Sequence, residues 1–204
     1  MLSRYIYEDK TLEKAFEKFY KEHNLTKEDI LYSEKNEKTG LLKTNKTILE
    51  VIIKEDLKQL IASTINNISI GTGINIDYKI NIEPDMINVS CYSDNSAALI
   101  GKNGKMLNSI QLILRKIVEI NTNLNLRINL DIEDYKKRKV NKLEREVKKL
   151  IKEVLSTKVD IKLDSMNSYE RRIVHNLVSN YKELTTVSEG ETPNRYVVIK
   201  YIER

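Results

Sequence analysis

Two short stretches hold the residues best suited to chemistry. In Ile100-Gly101-Lys102-Asn103-Gly104-Lys105, two glycines enclose two polar residues. Without Cβ atoms, such a loop lets a polymer backbone come close to the main chain. A helix starting just after it aims free N–H groups and the positive end of its dipole at a phosphate, and Lys102 and Lys105 add positive charge. Taken alone, the same string serves equally well as a turn. In Arg171-Arg172-Ile173-Val174-His175, the i, i+4 spacing of Arg171 and His175 puts both on one helix face. Together they suit one phosphate, gripped by a forked guanidinium and an imidazole N–H, while Arg172 lies about 100° around the helix. The competing reading is a histidine packed at an interface, with the arginine paired to an acid. Arg195 falls at the exit of a polar turn between Thr186-Val187-Ser188 and Tyr196-Val197-Val198-Ile199, where it can face the same ligand. On its own that segment is an ordinary hairpin.

Other chemistries lack their residues. One cysteine, Cys91, leaves no intramolecular disulfide and no multi-cysteine zinc site, and two histidines, His23 and His175, are too few for a multi-histidine metal site. No metal, cofactor or catalytic residues are expected. The acids near the Arg/His pair, Glu170, Glu189 and Glu191, are poor equipment for a nuclease, which needs clustered carboxylates or a paired base and acid. No apolar run approaches a membrane span, and Arg4, Glu8, Asp9 and Lys10 follow the start without a signal-like apolar segment. The expectation is a cytoplasmic protein without direct membrane insertion. The net charge of +5 is uneven. Residues 1–54 hold 11 basic and 10 acidic side chains, 55–132 hold 7 and 8, and 133–204 hold 17 and 12. A polyanion is drawn first to the last third.

Periodicity supplies the elements that must position these residues, and the fold class read from it is α+β, three small modules in series. In residues 1–54, Leu12, Ala15, Phe16, Phe19 and Tyr20 recur at helical spacing behind the capping residue Thr11, His23 ends that helix, and Thr26 caps a short turn. Strands are predicted near Ile30–Ser33 and Thr47–Ile53, with a turn around Gly40. In residues 55–132 the order is helix, strand, strand, helix, helix, strand. Leu57 to Ile68 form a stripe ended by Gly71 and Gly73; Ile74 to Ile82 and Met86 to Tyr92 alternate around a Glu83-Pro84-Asp85 turn; Ser96–Ile100 and Lys105–Ile120 flank the glycine loop; and Leu126 to Ile132 alternate again. Cys91 reads as a small core residue of the second strand. In residues 133–204, a long basic helix over about 133–156 precedes a second helix from Ser168 to about Asn180. Asn167 and Glu170 form a capping pair at its start, and strands follow at Thr185–Ser188 and Tyr196–Ile202.

The middle order, with Gly101-Lys102-Asn103-Gly104 between its helices, resembles a type II KH domain, which clamps about four nucleotides of a single strand. The resemblance implies a base-reading groove lined by Ala97, Leu99, Ile100, Leu107 and the second strand; the competing reading is that these apolar residues are mainly core. Met166, Asn167, Glu170, Arg171, Arg172, His175, Thr186, Ser188, Gly190, Pro193, Arg195, Val197, Val198 and Ile199 match the pattern of the R-three-H domain, a single-stranded nucleic-acid binder. The two in series, behind a module whose Tyr5–Tyr20 and Thr39-Gly40-Leu41-Leu42 look like a Jag N-terminal domain, resemble the Jag family of bacterial RNA-binding proteins (the KhpB/EloR type). The chain lacks the second glycine usual near Thr44-Asn45 and the long charged linker of many members.

The resemblance implies a Jag N-terminal-like domain at 1–54, a type II KH domain at 55–132 and an R-three-H domain at 133–204. It also implies a non-enzymatic regulator that binds single-stranded RNA through Gly101, Lys102, Asn103, Gly104, Lys105, Arg171, Arg172, His175 and Arg195. Its implied setting is post-transcriptional control of cell elongation, division and shape. The alternative is an interaction scaffold, dimerising through the KH domain with itself or with a small KH-only protein, and docking to a membrane-associated partner near an insertase.

Overall fold

In the computed structural model, which describes residues 2–39 and 44–202, alternating apolar and polar segments assemble into three three-stranded sheets among the described residues. The chain divides into two compact units, residues 1–133 and 134–204. The turn expected around Gly40, with Leu41 and Leu42, lies outside the described residues.

The first sheet has the order β1-β3-β2, antiparallel throughout, from β1 (Tyr5–Asp9), β2 (Ile30–Thr39) and β3 (Thr44–Ile53). Helix α1 (Leu12–Glu22) starts where the Thr11 hydroxyl accepts the Lys14 N–H. It buries Ala15 and Phe19 against Ile30, Leu49 and Val51, each large side chain contributing on the order of 2 kcal/mol. His23 ends the helix, and its ring packs on Tyr5 and Phe19, centroids 4.5 and 4.7 Å apart. Thr26 and Asp29 form a capping box around the next turn.

The second sheet has the order β4-β5-β6, from β4 (Asp77–Ile82), β5 (Met86–Tyr92) and β6 (Arg127–Ile132); β5 runs antiparallel to β4 and parallel to β6. Helix α2 (Lys54–Thr72) precedes it and stops at Gly73, which is left-handed with φ 68°. Helices α3 (Ser96–Ile100) and α4 (Lys105–Thr122) fill the crossover that the parallel pairing requires. Leu57, Ile61, Ile65, Ile87, Val89, Leu107, Leu114, Val118, Leu130 and Ile132 are buried. The first strand is shorter than its alternation predicts. Ile74 and Ile76 precede it, because the Ile74 carbonyl accepts the Ser69 hydroxyl at 2.6 Å and the Asn75 carbonyl accepts the Ser93 hydroxyl at 2.6 Å. Cys91 is buried, and burial pushes its thiol up to about 11, which leaves it a core residue.

In the second unit, α5 (Tyr135–Thr157) begins after Glu133 and Asp134, both left-handed at φ 49° and 55°. It packs with α6 (Ser168–Val178) on an antiparallel sheet of order β7-β9-β8, from β7 (Ile161–Lys162), β8 (Leu184–Glu189) and β9 (Tyr196–Tyr201). Val147, Ile151, Val154, Val174, Val178, Val197 and Ile199 form its core.

Candidate nucleic-acid interface

The glycine loop is shaped by backbone conformations that few residue types accept. Gly101 sits at φ 67°, ψ 178°, a region open essentially to glycine alone. A Cβ there would lie 2.9 Å from the Met106 Cβ and 3.1 Å from its amide nitrogen. Asn103 is left-handed at φ 56°, a conformation asparagine tolerates, and Gly104 is left-handed at φ 82°. These three residues turn the chain within one short turn. The Gly101 N–H donates to the Ala97 carbonyl at 2.9 Å and closes α3.

Lys102, Asn103 and Lys105 are exposed at the tip, Gly101 is half-buried and Gly104 is buried. Helix α4 therefore starts at Gly104, whose position offers no capping side chain, and no acid stands in its first turn. The start of the helix, the positive end of its dipole, lies beside exposed Lys102 and Lys105, an arrangement that attracts anions. The apolar side chains expected to line a neighbouring groove are placed differently. Leu99, Ile100 and Leu107 are buried in the core and Ala97 is exposed, because α3 has only five residues and spends its apolar side on the sheet.

The Arg/His region is built from side chains that already hold one another. The Asn167–Glu170 capping box forms as the sequence predicts: the Glu170 N–H donates to Asn167 Oδ1 at 3.0 Å, and the Asn167 N–H donates to Glu170 Oε2 at 2.9 Å. The other Glu170 oxygen meets Lys139 Nζ of α5 at 2.6 Å, so this buried acid is satisfied twice. Arg171 donates from Nη1 to the Met166 carbonyl at 3.0 Å and from Nη2 to the Ser168 hydroxyl at 3.1 Å. The Met166 N–H donates to the Arg195 carbonyl at 3.0 Å. The backbone of Met166 thus joins the Arg171 head to the strand entrance that carries Arg195. Arg172 and Arg195 are exposed; Arg171 and His175 are half-buried.

His175 does not offer a free N–H to a phosphate. Its Nδ1 bonds the Thr186 hydroxyl, and its Nε2 lies 2.9 Å from the Ser188 hydroxyl. Burial, and then the charge of Arg171, hold its pKa below the ordinary 6.5. A neutral ring has one donor and one acceptor, so one hydroxyl donates into it and the other receives from it. Thr186 and Ser188 are the polar groups missed by reading Arg171 and His175 as a pair. Their period-two spacing on β8 is the signal that puts both on one face. Among the described residues, no cluster of His, Cys, Asp and Glu has the makings of a metal site.

A KH domain model matches residues 56–139, and an R-three-H domain model matches residues 141–201. Over 197 residues, 93% of this chain and 88% of the relative, the chain is 32% identical to the RNA-binding protein KhpB of Clostridium symbiosum. The chain belongs to the KhpB family. Its fold is that of a KH domain followed by an R-three-H domain, both built from small sheets and helices. A further KhpB, from Streptococcus pneumoniae, is 27% identical over 175 residues; the match takes in 85% of this chain and 52% of that protein. A putative 3'-5' exonuclease of Acanthamoeba polyphaga mimivirus shares 36% identity over 62 residues only, 30% of this chain and 15% of its own length. The KhpB relatives carry the name of binding proteins rather than enzymes.

Proposed function

We propose that this chain binds single-stranded RNA without chemically changing it, through Gly101, Lys102, Asn103, Gly104 and Lys105 on one module and Arg171, Arg172, His175 and Arg195 on another. The observation that carries this reading is the exposed, glycine-shaped tip at the uncapped start of α4. A phosphate there meets main-chain N–H groups, a helix dipole and two lysines at once. In the second module, Arg172 and Arg195 reach outward as cations. Arg171 and His175 hold the surface between them, with His175 acting through the Thr186 and Ser188 hydroxyls. Two modest sites on one chain gain affinity by effective concentration. The proposed division is a Jag N-terminal-like module at 1–54, a KH module at 55–132 and an R-three-H module at 133–204. The proposed setting is cytoplasmic, post-transcriptional control of cell elongation and division. No helix among the described residues is long and apolar enough to cross a membrane.

The test is crosslinking of the full chain to cellular RNA, with Lys102→Asp/Asn103→Asp as the control. Recovery of RNA with the parent and its loss with the variant support the reading; equal recovery from both removes the KH tip as a contact. Exposed Met106, Leu112, Ile113 and Ile120 on α4 favour the second reading, a scaffold that pairs through its KH domain with another copy or a small KH-only protein. Tight self-association with RNA affinity indifferent to salt would select it, and a membrane-associated partner then becomes the natural ligand of the first module.

A further inference from the structure

The outward side of α5 carries a row of cations that neither surface above uses. At about 100° per residue, Arg138, Lys142, Arg145, Lys149 and Lys152 fall within an arc of about 80° that runs opposite the buried Val147, Ile151 and Val154. All five are exposed, and the row extends for about 21 Å. No acid interrupts it. Glu146 and Glu153 border one side, and Lys137 and Lys148 lie toward the other. The Lys142–Glu146 pair, at 3.8 Å with both partners largely exposed, leaves Lys142 accessible.

Lys139 of α5 meets the buried Glu170, whereas Lys142, Arg145, Lys149 and Lys152 are exposed. Like charges repeated at i, i+3 and i, i+4 repel and oppose the helix that carries them, and a bound polyanion removes that opposition. We propose that this face of α5 is a third contact for the RNA backbone, a track for consecutive phosphates that reads no bases. The inference rests on the RNA-binding reading above. An anionic lipid surface is the other polyanion to weigh. The geometry favours RNA, because α5 has spent its apolar side on its own core and keeps no hydrophobic face to enter a lipid interface.

The experiment uses the full chain and a roughly 20-nucleotide oligouridylate, with affinity followed across a range of salt. The variant is Lys142→Gln/Arg145→Gln/Lys149→Gln/Lys152→Gln, with Arg138 left in place. Each phosphate neutralised on a single strand contributes about 0.7 to the slope of log affinity against log salt. The expected result is a slope shallower by about 3 and at least tenfold weaker binding near physiological salt. Changing the three lysines to arginine instead keeps both at the parental level, which separates loss of charge from damage to the helix. Equal slope and affinity in the parent and the glutamine variant overturn the track while leaving the RNA-binding reading intact. No oligouridylate binding by the parent overturns that reading and the track with it. Binding of the parent to phosphatidylserine vesicles that disappears in the glutamine variant, with RNA affinity unchanged, reassigns the row to lipid and also overturns the proposal.

Discussion

The glycine tip and the Arg/His face, the two surfaces of the proposed function, are built by opposite means. At the tip the backbone does the shaping: Gly101, Asn103 and Gly104 adopt positive φ, and α4 is left without a side-chain cap. The Arg/His face instead starts from a fully capped helix, and its polar side chains are tied to one another before any ligand arrives. The shape of a main-chain site depends on its glycines, while the side chains around it set its charge. A side-chain site is sensitive to each member of its network, because removing one leaves the others partly buried and short of a partner.

The contrast can be broken most severely at Gly101. Gly101→Val forces a side chain into Met106 at a backbone conformation valine cannot hold, and the expected loss is about 3 kcal/mol in a denaturant titration. A loss below about 1 kcal/mol would mean the loop relaxes freely and is not fixed by its glycine. Next in size, Lys102→Asp/Asn103→Asp is expected to weaken RNA binding at least tenfold, about 1.4 kcal/mol. Stability should stay within about 0.5 kcal/mol, since both side chains are exposed. His175→Ala tests the opposite design: losing the ring strands the Thr186 and Ser188 hydroxyls, and a loss of about 1–2 kcal/mol in stability should accompany weaker binding. Affinity loss without any change in melting would instead make His175 a direct ligand.

The smallest expected effect is a pH dependence. The folded pKa of His175 lies below the ordinary 6.5, so between the two values the unfolded chain holds the extra proton and stability rises with pH. Its contribution is complete above about pH 6.5 and declines as pH falls through the folded value. Melting temperatures recorded from roughly pH 8 to pH 5 should be level and then decline, and His175→Gln should flatten that decline. A decline unchanged in the variant would place its origin elsewhere.

Most elements were readable because local pattern and tertiary context agree. Strict alternation made β5 legible at Met86–Tyr92, and a small-residue start with a glycine stop delimited α3 at Ser96–Ile100. Two strands gave too little signal. β7 has two residues, and β1 is an edge strand whose partly buried Tyr5 and Tyr7 flank an exposed Ile6, so polar alternation is missing. The polar positions 34–38 extend β2 because residues 45–49 of β3 pair with them, information that no local window holds. At the candidate interface, spacing showed that Arg171 and His175 share a face and that Asn167 caps with Glu170. It did not show that the Met166 carbonyl and Ser168 anchor the guanidinium, or that two β8 hydroxyls occupy the imidazole. Those contacts depend on how α6 lies on its sheet.

The Thr186–His175–Ser188 chain has one further property. A neutral imidazole moves its lone hydrogen from one nitrogen to the other by exchanging tautomers, and both alcohols must then reverse together. The two surface spots they occupy are therefore never independent: when one is proton-rich the other is electron-rich. Under the proposed function, a ribose oxygen or a phosphate arriving at either spot would dictate, through the ring, what its neighbour along the strand encounters.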